Sequence, residues 1–461
     1  MESGTSPDEK RAASLQQDSP GGIEGAMAWT VRGGDRGCRR AVLGAFAITA
    51  TLLAPARLEA YSVIAHLGAV DACWDQQITG LLRQRYGRLS TEQLNEARSY
   101  AYGGALIQDL GYYPFGSHLF TDLTHYVRSG DFVESLIRDA RDPNEYAFAL
   151  GALAHYAFDN TGHPVAVNLA VPIMYPKVRA QVGPRALYVD SPSRHLMVEF
   201  AFDVLQVASG AYAAQDYRDR IGFHVSKRLL EQAVQETYGL ELGDMLLNVD
   251  LAIATYRHAV STTIPEMTVI AWRDKHDEIV ERTPKATQKS FVYALTRQDY
   301  EREFGTGYRK PSVFARTLGF ILKILPKVGP LKPLAFEPLT AEAEHLFIES
   351  GRLAQARYET LLQALRARRL ALPNTDFDTG KAPTPGSNRL TDQTYAALLR
   401  KLAHHQDVEP PLALRRNIND FFDHDTVPAL SRRATGHVRS DLALLNAHDD
   451  GARSVPKLSR K

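Results

Sequence analysis

From Tyr61 to about Glu281 the hydrophobic and polar positions read as helix after helix, and alternating β patterns are scarce. Local signals punctuate these helices. Ser90-Thr91-Glu92-Gln93 has N-cap character and opens an Ala-rich helix through Tyr102. Asp142-Pro143 places a cap residue before a proline at the first helical position, so a helix is predicted from Glu145 to about Asp159, with Thr161-Gly162 as its stop. Ser191-Pro192 repeats the cap-then-proline signal. Turn residues cluster at Gly111 to Ser117 and at Asn160 to Pro164. No internal repeat is visible. The fold class predicted is all-α: a multi-helix domain over residues 61–281 followed by a helical C-terminal region over 282–461.

Beyond Arg282 the pattern changes. Tyr308 to Pro330 is basic and apolar, and Phe314 to Leu325 within it is expected to be a buried helix. Ala341 to Leu370 reads as an amphipathic helix. Pro373 to Asn388, rich in Pro, Gly and Thr, reads as a linker. A last helical pair is predicted near Thr391–His405 and Pro411–Phe422, before a tail ending Lys457 to Lys461 that is expected to be disordered. At the other end, residues 1–60 read as an extension and a signal peptide. The apolar run Ala41 to Ala54 follows Arg36-Gly37-Cys38-Arg39-Arg40, is too short to span a bilayer and suits a signal core. Ala60 offers a small residue for cleavage before Tyr61. The chain is therefore expected to be exported to the periplasm or the extracellular space, with Met27 the expected translation start.

Composition adds little. The chain of 461 residues is 44% apolar and 23% charged, ordinary for a soluble globular protein, and its formal net charge of +1 gives no bulk attraction to nucleic acid or acidic lipid. Cleavage before Tyr61 would leave Cys73 as the sole cysteine, so stability must come from core packing and any bound metal.

The chemistry concentrates in two pairs. His155/Asp159 and His195/Glu199 are each spaced i, i+4, and on a helix residues four apart share a face. Each pair presents an imidazole and a carboxylate in one direction, a donor set suited to zinc. His163 lies between the pairs. Upstream candidates are His66, five residues after the expected mature N-terminus, Asp109 in the turn-rich Gln108–Gly116 segment, and His125. Asp122 and His118 are alternatives to Asp109 and His125. His155 with Asp159 alone could be a helix-surface pair; the second pair and the upstream histidines make a metal the better reading.

These residues together resemble the zinc-dependent phospholipase C family, related in fold to the single-strand-specific zinc nucleases. The resemblance spans roughly Tyr61 to Phe202 and is most specific at His155-Tyr-Ala-Phe-Asp159 and His195-Leu-Met-Val-Glu199. It implies a mostly helical domain with three zinc ions. Carried over by position, the first zinc would use Asp109, His125, His155 and Asp159. The second would use His163, His195 and Glu199. The third would use the amino group and carbonyl of Tyr61, with His66 and the other oxygen of a bridging Asp159. Asp109 would also serve as general base or orient the attacking water. Three departures stand out. Tyr61 replaces the usual Trp, and Asp159 to His163 is four residues instead of six, with Pro164 after the histidine instead of a proline before it. The region around Asp109 matches only loosely.

The resemblance implies hydrolysis of phosphodiesters, with phospholipid as substrate and transient contact with a membrane surface. A nuclease or phosphomonoesterase on the same metals is the second reading, nucleic acid being the less favoured partner. A non-catalytic metal-binding or envelope interaction protein is the third, and no stable protein partner is evident. One prediction concerns maturation. Residues left in front of Tyr61 turn its amine into an amide, a poor ligand, so an uncleaved chain should bind one zinc fewer than the mature chain by elemental analysis. Equal zinc content in the two forms would disprove N-terminal ligation.

Overall fold

The computed structural model describes residues 63–208, 223–282, 335–404, 410–423 and 432–453. The expected signal segment with Tyr61, the basic apolar stretch around Phe314 to Leu325, and the tail after residue 453 lie outside the described residues. Among the described residues the protein is all-α, with one isolated bridge between Asp376 and Lys381. No helix among them is long and apolar enough to cross a membrane.

Six helices frame the chemistry, and four of them carry donor side chains. They are α1 (Val63–Cys73), α2 (Thr91–Ala105), α3 (His118–Tyr126), α4 (Pro143–Gly162), α5 (Pro192–Ala208) and the brace α6 (Ala341–Arg366). Two of the caps read from sequence are present. Ser90 and Gln93 form a reciprocal capping box at the start of α2. Asp142 accepts from the Glu145 amide ahead of Pro143.

At Gly162 the structure departs from the expectation. The chain does not stop there. It passes through a π-helical turn, His163–Val167, into a further helix, Asn168–Met174. Pro164 has no N–H to give back to the preceding turn, and the wider π turn absorbs that missing bond. Its surroundings hold the turn in place. Arg185 donates to the Pro164 carbonyl at 2.7 Å, and Gly380 lies against Asn160 and Pro164 so closely that a Cβ there would be 3.0 Å from the Asn160 oxygen. Gly380 also has φ +69°, so glycine serves both the conformation and the fit.

α4 is the axis of the domain and is buried along nearly its whole length. α2 packs on it at very short range. A Cβ on Gly151 would fall 2.0 Å from the Ala101 carbonyl oxygen, and one on Gly104 would fall 1.9 Å from that of Phe148. The C-terminal region packs on the same core. In α6, Tyr358 donates to the Leu150 carbonyl at 3.0 Å, and Phe347 stacks on Phe202 of α5 at 4.3 Å. The segment 373–388, expected as a linker, is instead packed. Tyr156 donates to the Pro373 carbonyl at 2.7 Å, Ser129 to that of Thr375 at 2.6 Å, and Asp376, Phe377 and Asp378 are fully buried. Its Pro and Gly content serves tight turns around buried acids, a use that composition alone does not distinguish from a free linker.

The glycine contact yields a prediction. Gly151→Ala should drive α2 and α4 apart, lower unfolding stability by about 1–3 kcal/mol, and weaken zinc binding, because His155 sits one turn further along α4. Denaturant titration and zinc analysis of the variant measure both. An unaltered midpoint would show that the crossing relaxes without cost.

Candidate metal centre

His155 and Asp159 lie on the inner face of α4, and His163 follows one turn later because the helix continues past Gly162. The four-residue spacing that departs from the family pattern thus places all three in register along one face. His195 and Glu199 occupy the first two turns of α5, as predicted. His66 comes from α1, Asp109 from a 3-10 turn (Ile107–Tyr112), and His125 from the end of α3. All eight are buried, none more than 6% exposed.

Two groups of donors form. In the first, His155 Nε2 is 3.0 Å from Asp159 Oδ2 and 3.3 Å from His125 Nε2. His125 Nε2 is 3.3 Å from Asp159 Oδ2 and 3.4 Å from Asp109 Oδ1. Zinc bonds of about 2.0–2.1 Å set tetrahedral ligand atoms about 3.3 Å apart, the spacing found here. Ring orientation agrees. His125 Nδ1 lies 2.9 Å from the Thr121 carbonyl and His155 Nδ1 2.9 Å from that of Ala105. Each Nδ1–H donating to a carbonyl leaves Nε2 bare toward the group, the tautomer a metal ligand needs.

Asp159 faces two ways. Its Oδ2 serves the first group, while Oδ1 is 3.2 Å from His66 Nε2. The His66 ring stacks on His155 at 4.4 Å. Asp203, one turn beyond Glu199, accepts from the Ile64 amide at 3.1 Å and so fixes the start of α1 beside the centre.

In the second group, Glu199 Oε1 is 3.2 Å from His195 Nε2 and 3.7 Å from His163 Nε2, which is also 3.7 Å from Asp159 Oδ2. A residue absent from the sequence reading joins it. Asp378, fully buried in the segment expected to be a linker, lies 3.5 Å through Oδ1 from His163 Nδ1. His163, His195 and Asp378 together can offer donors to one ion. Only the Asp376-Phe377-Asp378 acidic pattern within a Pro/Gly/Thr-rich stretch hinted at it. The alternatives His118 and Asp122 are not among the grouped donors. Tyr112 borders the centre with its ring 6.4 Å from His125, Tyr113 packs in the core against Tyr256, and Phe115 reaches the surface.

Donor chemistry fits a metal. The two oxygens of Asp109, Asp159 and Glu199 and both nitrogens of His195 are buried without a hydrogen bond. Such groups cost several kcal/mol each unless a cation is shared among them. Among protein groups alone, burial opposes a charge on His125, yet Asp109 and Asp159 raise it to about 10. Burial likewise opposes ionisation of Asp159, but His155, His163 and His66 hold it well below the usual carboxylate range. Burial pushes Glu199 up to about 8 and His195 down to about 4.

A helical domain that converges five imidazoles and several buried carboxylates is equipped to hold metal ions. Residues 65–245 match the family model described as zinc dependent phospholipase C, so this segment of the chain is similar to that enzyme family. No curated protein and no solved structure matches the chain.

Asp122 provides a pH test outside the donor groups. Burial raises its carboxyl to about 7 from 3.8, with His125 only partly opposing. An acid raised in the fold keeps its proton longer when folded than when unfolded, so the folded state loses relative stability as pH climbs from about 4 through about 7. Asp122→Asn removes that loss. Its unfolding midpoint should exceed that of the parent chain at pH 8 and match it near pH 4; an equal difference at both pH values would refute burial as the cause.

Proposed function

We propose that this chain is an exported zinc-dependent phosphodiester hydrolase with phospholipase C activity on phospholipid headgroups. The observation that carries the reading is the division of Asp159, with one oxygen toward His66 and the other toward His125 and His155. One carboxylate serving two sides is the arrangement of a bridged metal pair. The first zinc would be held by Asp109, His125, His155 and Asp159, and the second by His163, His195 and Glu199. The third would be held by His66, Asp159 and the Tyr61 backbone. Zinc bound there would bring the pKa of water toward neutrality and offset charge on the phosphoryl oxygens.

The protein groups take the remaining roles. Asp109 Oδ2 makes no hydrogen bond, while Oδ1 is turned to His125, so Oδ2 is the atom suited to orient water and accept its proton. Buried carboxylates at 109, 159, 199 and 378 carry a charge of −4 when ionised. Two dications would neutralise them, and a third would leave a net positive charge for a phosphodiester anion. The burial of these groups limits water and strengthens that attraction.

Elemental analysis of the mature chain should give two or three zincs, and chelator should abolish hydrolysis. Asp109→Asn should weaken the first zinc in chelator competition, and at saturating zinc kcat should still fall roughly 100- to 10,000-fold. Phosphatidylcholine, single-stranded DNA and a chromogenic phosphomonoester should be assayed side by side, with phosphatidylcholine the preferred substrate. Preference for DNA or the monoester would reassign the substrate. A chain holding no zinc and inactive on all three would end the enzymatic reading.

A further inference from the structure

The geometry assigns Asp378 as the positioning carboxylate for His163, supplied from outside the segment that matches the family. The inference rests on the zinc reading above and concerns the second group of donors. His163 presents its two nitrogens to different partners. Nε2 faces Glu199 Oε1 at 3.7 Å, the same oxygen that lies 3.2 Å from His195 Nε2. Nδ1 faces Asp378 Oδ1 at 3.5 Å. An ion shared by Nε2 of both histidines and by Glu199 therefore leaves Asp378 on the far edge of the His163 ring. There the carboxylate fixes the tautomer with hydrogen on Nδ1, orients the ring and makes Nε2 a stronger donor. His125 and His155 use backbone carbonyls for that purpose. His163 opens the π turn, and Asp378 takes the place of a carbonyl.

Asp378 is held for the task from every side. Its Oδ2 accepts from the Tyr188 amide at 2.9 Å, and its own carbonyl accepts from Asn168 Nδ2 at 2.7 Å. One residue earlier, the Phe377 amide donates to the His125 carbonyl at 3.1 Å and the Phe377 ring lies 5.1 Å from that of His125. Two residues earlier, Asp376 accepts from Asn388 at 2.9 Å and from Thr391 at 2.6 Å. Oδ1 of Asp378 is left buried, without a hydrogen bond, and aimed at His163.

Asp378→Asn tests the assignment in the full-length chain, because the amide oxygen can still accept from Tyr188 and the loop is retained. The number of zincs bound at saturation should equal that of the parent chain. Chelator competition should show one zinc bound about 10- to 100-fold more weakly, and the unfolding midpoint in excess chelator should match the parent. Asp378→Ala should weaken the same zinc at least as much. An Asn variant with parental zinc affinity would overturn the assignment and leave Asp378 as a loop anchor. A saturating zinc count lower by one would also overturn it, making Asp378 a direct ligand. Both leave the zinc reading intact, whereas a parent chain that takes up no zinc removes both inferences together.

Discussion

A carboxylate with no access to water and histidines on both sides is the constraint on which this domain is organised. Asp159 is fully buried in the last turn of α4, and His66, His125, His155 and His163 all approach its two oxygens. Such a group is costly in a helical core unless its charge is shared. Each element that delivers a donor must therefore arrive at one point with an accuracy of a few tenths of an ångström. The glycines at 104 and 151 let α2 approach α4 closely enough for the Ala105 carbonyl to reach His155. The capped start of α4 and the proline that opens α5 set where the inward faces begin.

The same constraint accounts for how the donor side chains are aimed. His125 and His155 are aimed by carbonyls on their own and neighbouring helices. The start of α1 is tied to Asp203, one helical turn from Glu199. Preorganisation of this kind reduces the ordering that ligand binding has to impose. It also separates roles among chemically similar groups. Glu199 and Asp159 are both buried carboxylates, yet burial dominates at Glu199 and raises it, while the ring of histidines dominates at Asp159 and lowers it.

Much of this was readable from local sequence, for a physical reason. Helix caps, i, i+4 pairs and helical periodicity are short-range properties, so Asp142-Pro143, Ser191-Pro192, His155/Asp159 and His195/Glu199 announce both their helices and their shared faces. His163 was less legible. Gly162 and Pro164 are breaker residues, and only packing against Arg185 and Gly380 keeps the chain helical around them. Asp378 was not legible as part of the centre. Its turn-rich surroundings have the composition of a free connection, and what makes it otherwise is long-range: hydrogen bonds to Tyr188, Asn168 and Ser129 that no local window contains.

The docking of Asp378 beside His163 has a consequence for the order in which the molecule is completed. Synthesis runs from the N-terminus, and domains tend to form as their residues emerge. All five histidines and three of the four carboxylates precede residue 200, so most of the donor set exists in a nascent chain far short of its final length. The fourth carboxylate arrives only after α6 has been made. The second group of donors therefore cannot take its finished form in a partial chain, and its closure marks the point at which the C-terminal region has folded back onto the core.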